Sequence, residues 1–146
     1  MIKEDLVVSQ ERTIDVLQRV LDGFNNHDID AIMANFAEGC VFEAPRGPDP
    51  WGRRFEGKAD VRRGLSARFE GIPDVHFGDG THFATGSRGV SEWTLTGTEV
   101  GGDRIEVRGC DLWKMGVTVS SSRRTASGSC ASRRSKRTIG RRRGRW

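Results

Sequence analysis

The apolar residues of this chain change their spacing at Ile72-Pro73, and that change constrains the fold more than any other feature. Before it, Ile14, Leu17, Leu21 and Phe24 recur every three or four residues, the period of an amphipathic helix. Ser9, with Glu11 in the next turn, is the expected N-cap of that helix. Asp28 is placed to cap a second, short helix carrying Ile29, Ile32, Met33 and Phe36. CVFEA (Cys40–Ala44) reads as a strand, and PRGPDPWGRR (Pro45–Arg54) as a loop with three of the four prolines. Val61, Leu65 and Phe69 predict a third helix over Lys58–Phe69. Beyond Pro73 the period is two, in segments Val75–Ala84, Gly89–Thr98 and Arg104–Trp113 separated by TGSRG and VGGD. Helices first and an antiparallel meander afterwards predict an α+β fold with one core.

A two-residue turn at Gly101-Gly102 would pair Val100 with Asp103 and Glu92 with Asp111. Glu92, Asp111, Thr94, Thr96, Ile105 and Val107 would then share the inner face, leaving Trp93, Leu95, Cys110 and Leu112 outside. A turn centred on Gly86-Ser87 adds Thr81 and Phe83 to the Glu92 face and puts His82 on the opposite one. Trp93, Leu95 and Cys110 on an outer face predict a homodimer through that face.

Charge divides the chain at Lys114. Residues 1–114 hold 14 basic and 20 acidic side chains, a net charge of −6, whereas 115–146 hold ten basic side chains and no acidic one. We read 1–114 as the folded domain and 115–146 as a Ser/Arg-rich tail with no recognisable strand. Cys40, Cys110 and Cys130 are too few and too scattered for a disulfide framework or a zinc site. MIKEDLVVSQ lacks a signal peptide's apolar core, and no apolar run is long enough to span a bilayer; a cytoplasmic location is expected.

FNNHDIDAIMANFAEGCVFEAP (Phe24–Pro45), FEGKADVRRGL (Phe55–Leu65) and GVSEWTLTGTEVGGDRIEVRGCDLW (Gly89–Trp113) together resemble the SnoaL-like group of the nuclear-transport-factor-2-like superfamily. The resemblance covers about residues 9–114 and implies a curved antiparallel sheet wrapped around N-terminal helices, a cone with an internal apolar pocket. It also implies a homodimer, a small apolar ligand and chemistry without a cofactor, with hosts ranging from cyclases, isomerases and dehydratases to non-enzymatic binders. Aligned through DIDAI and EAP, the tyrosine of the ketosteroid isomerases falls on Val20 and their general-base aspartate on Ala44. Only their oxyanion-donating aspartate is kept, as Asp111, so steroid isomerisation by that mechanism is excluded. Family members continue past the DLW-like segment with an Asp-Gly turn and an apolar strand. Moved back one nucleotide, codons compatible with residues 118–122 can encode that continuation, so the tail from about Met115 reads as an out-of-frame translation. Its rival reading is a basic arm binding nucleic acid through phosphates, though only Trp146 is available for stacking.

Two opposed carboxylates in an apolar cone would divide their protons, one keeping its hydrogen and the other acting as base. Asp111 as acid or stabiliser and Glu92 as base are therefore the expected catalytic pair, suited to proton transfer beside a carbonyl. The bland alternative is a carboxylate paired with Arg68, Arg104 or Arg108. Trp51, Phe83, Thr94, Val107 and Trp113 are the expected pocket-lining residues, with Trp51 and Arg53 in a lid. His27 reads as a turn residue, and His76 and His82 as surface or interface side chains. No histidine or cysteine spacing indicates a metal. Three functions follow from this reading: a cofactor-independent acid–base enzyme, a non-catalytic small-molecule-binding homodimer, and nucleic-acid binding through the tail, the last not expected of the folded domain.

Overall fold

A computed structural model describes residues 2–50, 52–115 and 125–131, with side chains for 10–50 and 52–115. In chain order the elements are α1 (Ile2–Asn25), α2 (Ile29–Met33), β1 (Val41–Asp49), β2 (Gly52–Glu56), α3 (Lys58–Gly71), β3 (His76–Thr85), β4 (Arg88–Thr98), β5 (Arg104–Lys114) and β6 (Thr125–Ala131). The six strands form one sheet in the order β2-β1-β6-β5-β4-β3, antiparallel except where β1 meets β6. The α+β class and its helices-then-meander order are as expected.

α1 starts at Ile2, so Ser9 lies inside it and is not its cap. Its far end is secured by side chains. Asn25 Nδ2 donates to the carbonyl of Phe77 at 2.9 Å, and the amide of Phe77 donates back to Asn25 Oδ1 at 2.8 Å. One amide thus pairs with the backbone of β3, an edge strand whose free groups would otherwise need water. His27 turns the chain with a positive φ of 53° and holds the carbonyl of Val75 at 2.8 Å, the turn role expected of it. Asp28 caps α2 as predicted, accepting from the amide of Ala31 at 3.0 Å.

The Pro45–Arg54 stretch is not a plain loop. β1 runs on to Asp49 and β2 returns from Gly52, with the regular register interrupted between Ala44 and Asp49. Pro45 and Pro48 lack the amide hydrogen for a ladder, and the interruption falls on them. Trp51 lies outside the described residues.

The β3–β4 hairpin has the predicted register, with Thr85 opposite Arg88 and Thr81 opposite Glu92. The β4–β5 hairpin does not: Thr98 pairs with Arg104, Trp93 with Gly109, Glu92 with Cys110 and Ser91 with Asp111. Glu99 donates its amide to Asp103 O at 2.9 Å, and Gly102 donates to Glu99 O at 2.8 Å. Those bonds enclose a three-residue loop, Val100-Gly101-Gly102, ending on Gly102 at φ 94° in the left-handed region. An odd loop in place of an even one slips the register by one residue and exchanges the faces of β4 relative to β5.

Two joined apolar clusters fill the space between sheet and helices. One gathers Val20, Ile32, Met33, Phe36, Cys40, Val61 and Leu65, and the other Leu21, Ile72, Val75, Phe77, Trp93 and Leu95. Phe24 and Phe69 pack against both. Trp93 (7% exposed) and Leu95 (4%) are therefore core residues, which corrects their assignment to an outer dimer face. Cys110 and Leu112 do face outward, in register with Glu92 and Val90. The tail supplies β6 between β5 and β1, where no strand was expected.

Candidate functional site

The slip in register decides which side chains meet. Ser91, Trp93 and Leu95 of β4 share the inner face with Val107, Gly109, Asp111 and Trp113 of β5. Glu92 is exposed on the outer face, so the structure does not bring the expected carboxylate pair together. Thr94 and Phe83 lie on that outer face too, whereas Val107, Trp113 and Asp111 face inward. Only part of the expected lining is thus assembled, and all of it on β5.

Asp111 owes its surroundings to its neighbours' shapes. Gly109 has no side chain, and a Cβ placed there would lie 2.5 Å from Cη2 of Trp93. The indole of Trp93 therefore lies across β5 over that bare backbone, and its Nε1–H donates to Asp111 Oδ2 at 3.0 Å. Phe77 meets the other side of Trp93 edge-on, with ring centroids 5.1 Å apart, and fixes the indole in place. Burial pushes the Asp111 carboxyl up to about 6; the Trp93 hydrogen bond and the charge of Arg68 oppose that rise and are outweighed by it. A carboxyl in that range exists in both forms near neutral pH, as an acid–base group must. Asp111 nonetheless retains partial contact with solvent. It is therefore not sealed into the core.

A second polar chain lies on the same inner face. Trp113 Nε1–H donates to Ser91 Oγ at 3.0 Å, which leaves the Ser91 hydroxyl hydrogen for His82 Nδ1 at 2.9 Å. His82 Nε2 must then carry the proton and donate it to Gln18 Oε1 of α1 at 3.1 Å. Burial lowers the His82 pKa, and the charge of Asp22 partly opposes it, so the ring is kept neutral. His82 is on the face away from Glu92, as expected, but that face is the interior. Beside this chain Val16, Leu17, Val20, Asn35, Phe36, Trp113 and Met115 enclose a cavity of about 10 Å³, scarcely the room of one water.

Trp93, Ser91 and Arg68 are the site neighbours that alternation alone misplaced or left open. The first two follow from the odd length of the Glu99–Asp103 connection, which the glycines Gly101 and Gly102 do not fix locally. Arg104 and Arg108 pair opposite Thr98 and Thr94 on the outer face, so of the three arginines considered only Arg68 is felt by Asp111. Among the described residues no three His, Cys, Asp or Glu side chains gather to hold a metal, and no helix is long and apolar enough to cross a membrane.

Solved structures of the same shape are numerous. An NTF2-like protein of unknown function from Burkholderia pseudomallei superposes with a TM-score of 0.68 at 16% identity, covering 82% of this chain and 89% of its own. An NTF2-like protein of unknown function from Mesorhizobium loti gives 0.64 at 27% identity, covering 84% and 93%. A candidate polyketide cyclase from Xanthomonas campestris pv. campestris gives 0.63 at 21% identity, covering 80% and 89%. No curated protein sequence matches the chain. The SnoaL-like domain family matches residues 17–116, from the middle of α1 to the end of β5 and no further into the tail. With the second half of α1, the other two helices, the meander and the inward-facing aspartate inside that span, the chain belongs to the SnoaL-like domain family.

Proposed function

We propose that this protein is a small-molecule pocket protein in which Asp111 performs acid–base proton transfer on an apolar carbonyl compound, without a cofactor. The observation that carries this reading is the inward-facing Asp111 carboxyl, raised to about 6 by burial and held by Trp93 Nε1–H. In its neutral form Asp111 donates a hydrogen to the carbonyl oxygen of a ligand; in its ionised form it removes the proton from the adjacent carbon. Val107, Trp93 and Trp113 supply apolar wall on the same face. An isomerase, cyclase or dehydratase would each use such a group, and a candidate polyketide cyclase is among the structures of this shape.

The test is deuterium exchange at the enolisable carbons of 2-tetralone in D2O, followed by proton NMR. Exchange above buffer is expected with the unaltered protein, falling by a factor of about 100 or more in Asp111→Asn. Equal exchange by both proteins contradicts the reading.

A non-catalytic binder is the second reading, favoured by one finding: Glu92 faces away, so no second carboxylate of the expected pair stands beside Asp111. Binding of the ketone with no exchange would establish it. Either function fits a homodimer formed through the outer face. Phe83 pairs with Val90 and Val90 with Leu112, giving one apolar row across three strands, with Phe83 55% and Leu112 45% exposed. Leu112→Asp should shift the protein to monomer in sedimentation velocity; an unchanged sedimentation coefficient contradicts this interface.

A further inference from the structure

The outer face of the sheet carries its charges in a fixed order. Rows of directly paired residues run across the strands there, and Phe83, Val90 and Leu112 form an apolar one. Two residues along each strand in one direction, Thr85 pairs with Arg88 and Arg88 with Lys114. Two residues along in the other direction, Thr81 pairs with Glu92 and Glu92 with Cys110. Neighbouring rows lie about 7 Å apart, because residues of one face recur at every second position. The apolar row is thus bordered by two cations on one side and by a carboxylate on the other.

Neither border is neutralised within one chain. Arg88 and Lys114 are like charges directly opposite each other, a cross-strand arrangement that destabilises a sheet. Arg88 and Glu92 stand four residues apart on β4, about 13 Å along the strand, with Val90 between them. Arg88, Glu92 and Lys114 are exposed, and among the described residues none of them makes an ion pair, whereas Arg54, Lys58, Arg62 and Arg63 do.

Such a face is complementary to itself in one orientation. A two-fold axis lying in the interface turns one sheet over onto the other, and aligned sheets keep their strand directions within about 30°. With the axis along β4, each row would meet its own counterpart, Arg88 against the partner's Arg88 and Glu92 against the partner's Glu92. With the axis along the apolar row, strand direction reverses and the Arg88–Lys114 row meets the partner's Glu92 row. Phe83, Val90 and Leu112 still meet their own kind. Facing sheets lie about 10 Å apart, a gap that an arginine and a glutamate reaching toward each other can span.

We propose that a second copy of this chain docks on the outer face with the two-fold axis along the Phe83–Val90–Leu112 row. Arg88 of each copy, supported by Lys114, pairs with Glu92 of the other. The inference rests on the homodimer reading above and adds the orientation and the charges that set it. Glu92 thereby gains a task on the face where the structure places it.

Sedimentation velocity of charge-reversed variants tests the orientation. The unaltered protein should dimerise. Arg88→Glu should weaken the homodimer by about tenfold or more, and Glu92→Arg likewise, since both symmetry-related pairs change from attraction to repulsion. Mixing these two variants should restore a dimer about as tight as the unaltered one, because each supplies the charge that the other lacks. Arg104→Glu reverses a charge far along the same face, opposite Thr98, and should leave the dimer unchanged. A mixture that stays monomeric overturns the inference. So does Arg88→Glu pairing more tightly with the unaltered chain than with Glu92→Arg, the result expected of an axis along the strands. Two single variants that dimerise as tightly as the parent refute this orientation and leave the interface itself to Leu112→Asp. An unaltered protein that sediments as a monomer refutes both.

Discussion

Asp111 is stabilised in its neutral form by the fold, and this has a thermodynamic consequence. Its folded pKa lies above that of the unfolded chain, so the folded state holds the extra proton between about pH 4 and pH 6 and stability falls as pH rises through that window. Above about pH 6 an ionised, desolvated carboxylate remains as a standing cost. Asp111→Asn keeps an acceptor oxygen for Trp93 and removes the charge, so the variant should be more stable than its parent by roughly 1–3 kcal/mol above that pH. Urea unfolding at about pH 8 and about pH 4 should show the gain at the first and none at the second; a variant less stable at both contradicts the assignment. Gly109→Ala tests the same spot sterically. A methyl 2.5 Å from the indole must displace Trp93, and a loss of roughly 1–3 kcal/mol in denaturant unfolding is expected. Ser91 is 2% exposed and serves two partners, so Ser91→Ala should cost a similar roughly 1–3 kcal/mol by leaving Trp113 Nε1–H and His82 Nδ1 unpaired. Thermal melting within error of the parent in either variant would refute the packing described here.

At the scale of elements, sequence and structure agree wherever one residue had a single physical use. Asp28 could only cap, the Val61–Leu65–Phe69 stripe could only be helical, and the Gly86-Ser87 turn allowed one register. The β4–β5 loop offered two. Gly101 and Gly102 can serve as a two-residue turn or as the end of a three-residue one, and the choice rests on burial of Trp93 and Leu95, which no local signal reports. That one ambiguity moved Glu92, Thr94 and Phe83 out of the site and brought Trp93 in. The start of α1 was illegible for a different reason, since Ser9 offers a cap that the helix does not need. β6 was missed because a Ser-rich segment carries no apolar alternation.

Taken whole, the molecule is an acidic domain whose sheet includes one strand of a basic tail, β6, between β5 and β1. The family match stops at residue 116, beside Lys114 where the charge changes sign, in keeping with the reading of the tail as out of frame. The encoding DNA should then contain, one nucleotide back, an Asp-Gly turn and an apolar strand after Lys114. Restoring that frame should raise the melting temperature, because an apolar strand would suit the place between β5 and β1 better than the Ser-rich TASGSCA does. DNA without such a strand ends that reading. All the functional conclusions depend on a sheet that turns Asp111 toward a desolvated interior while Glu92 faces water. The most direct test is a carbon-13 NMR titration of the side-chain carboxyls, with Asp111 assigned by its disappearance in Asp111→Asn. A midpoint near 6 for Asp111 is the predicted result; a midpoint at the ordinary aspartate value of about 4 would contradict the account.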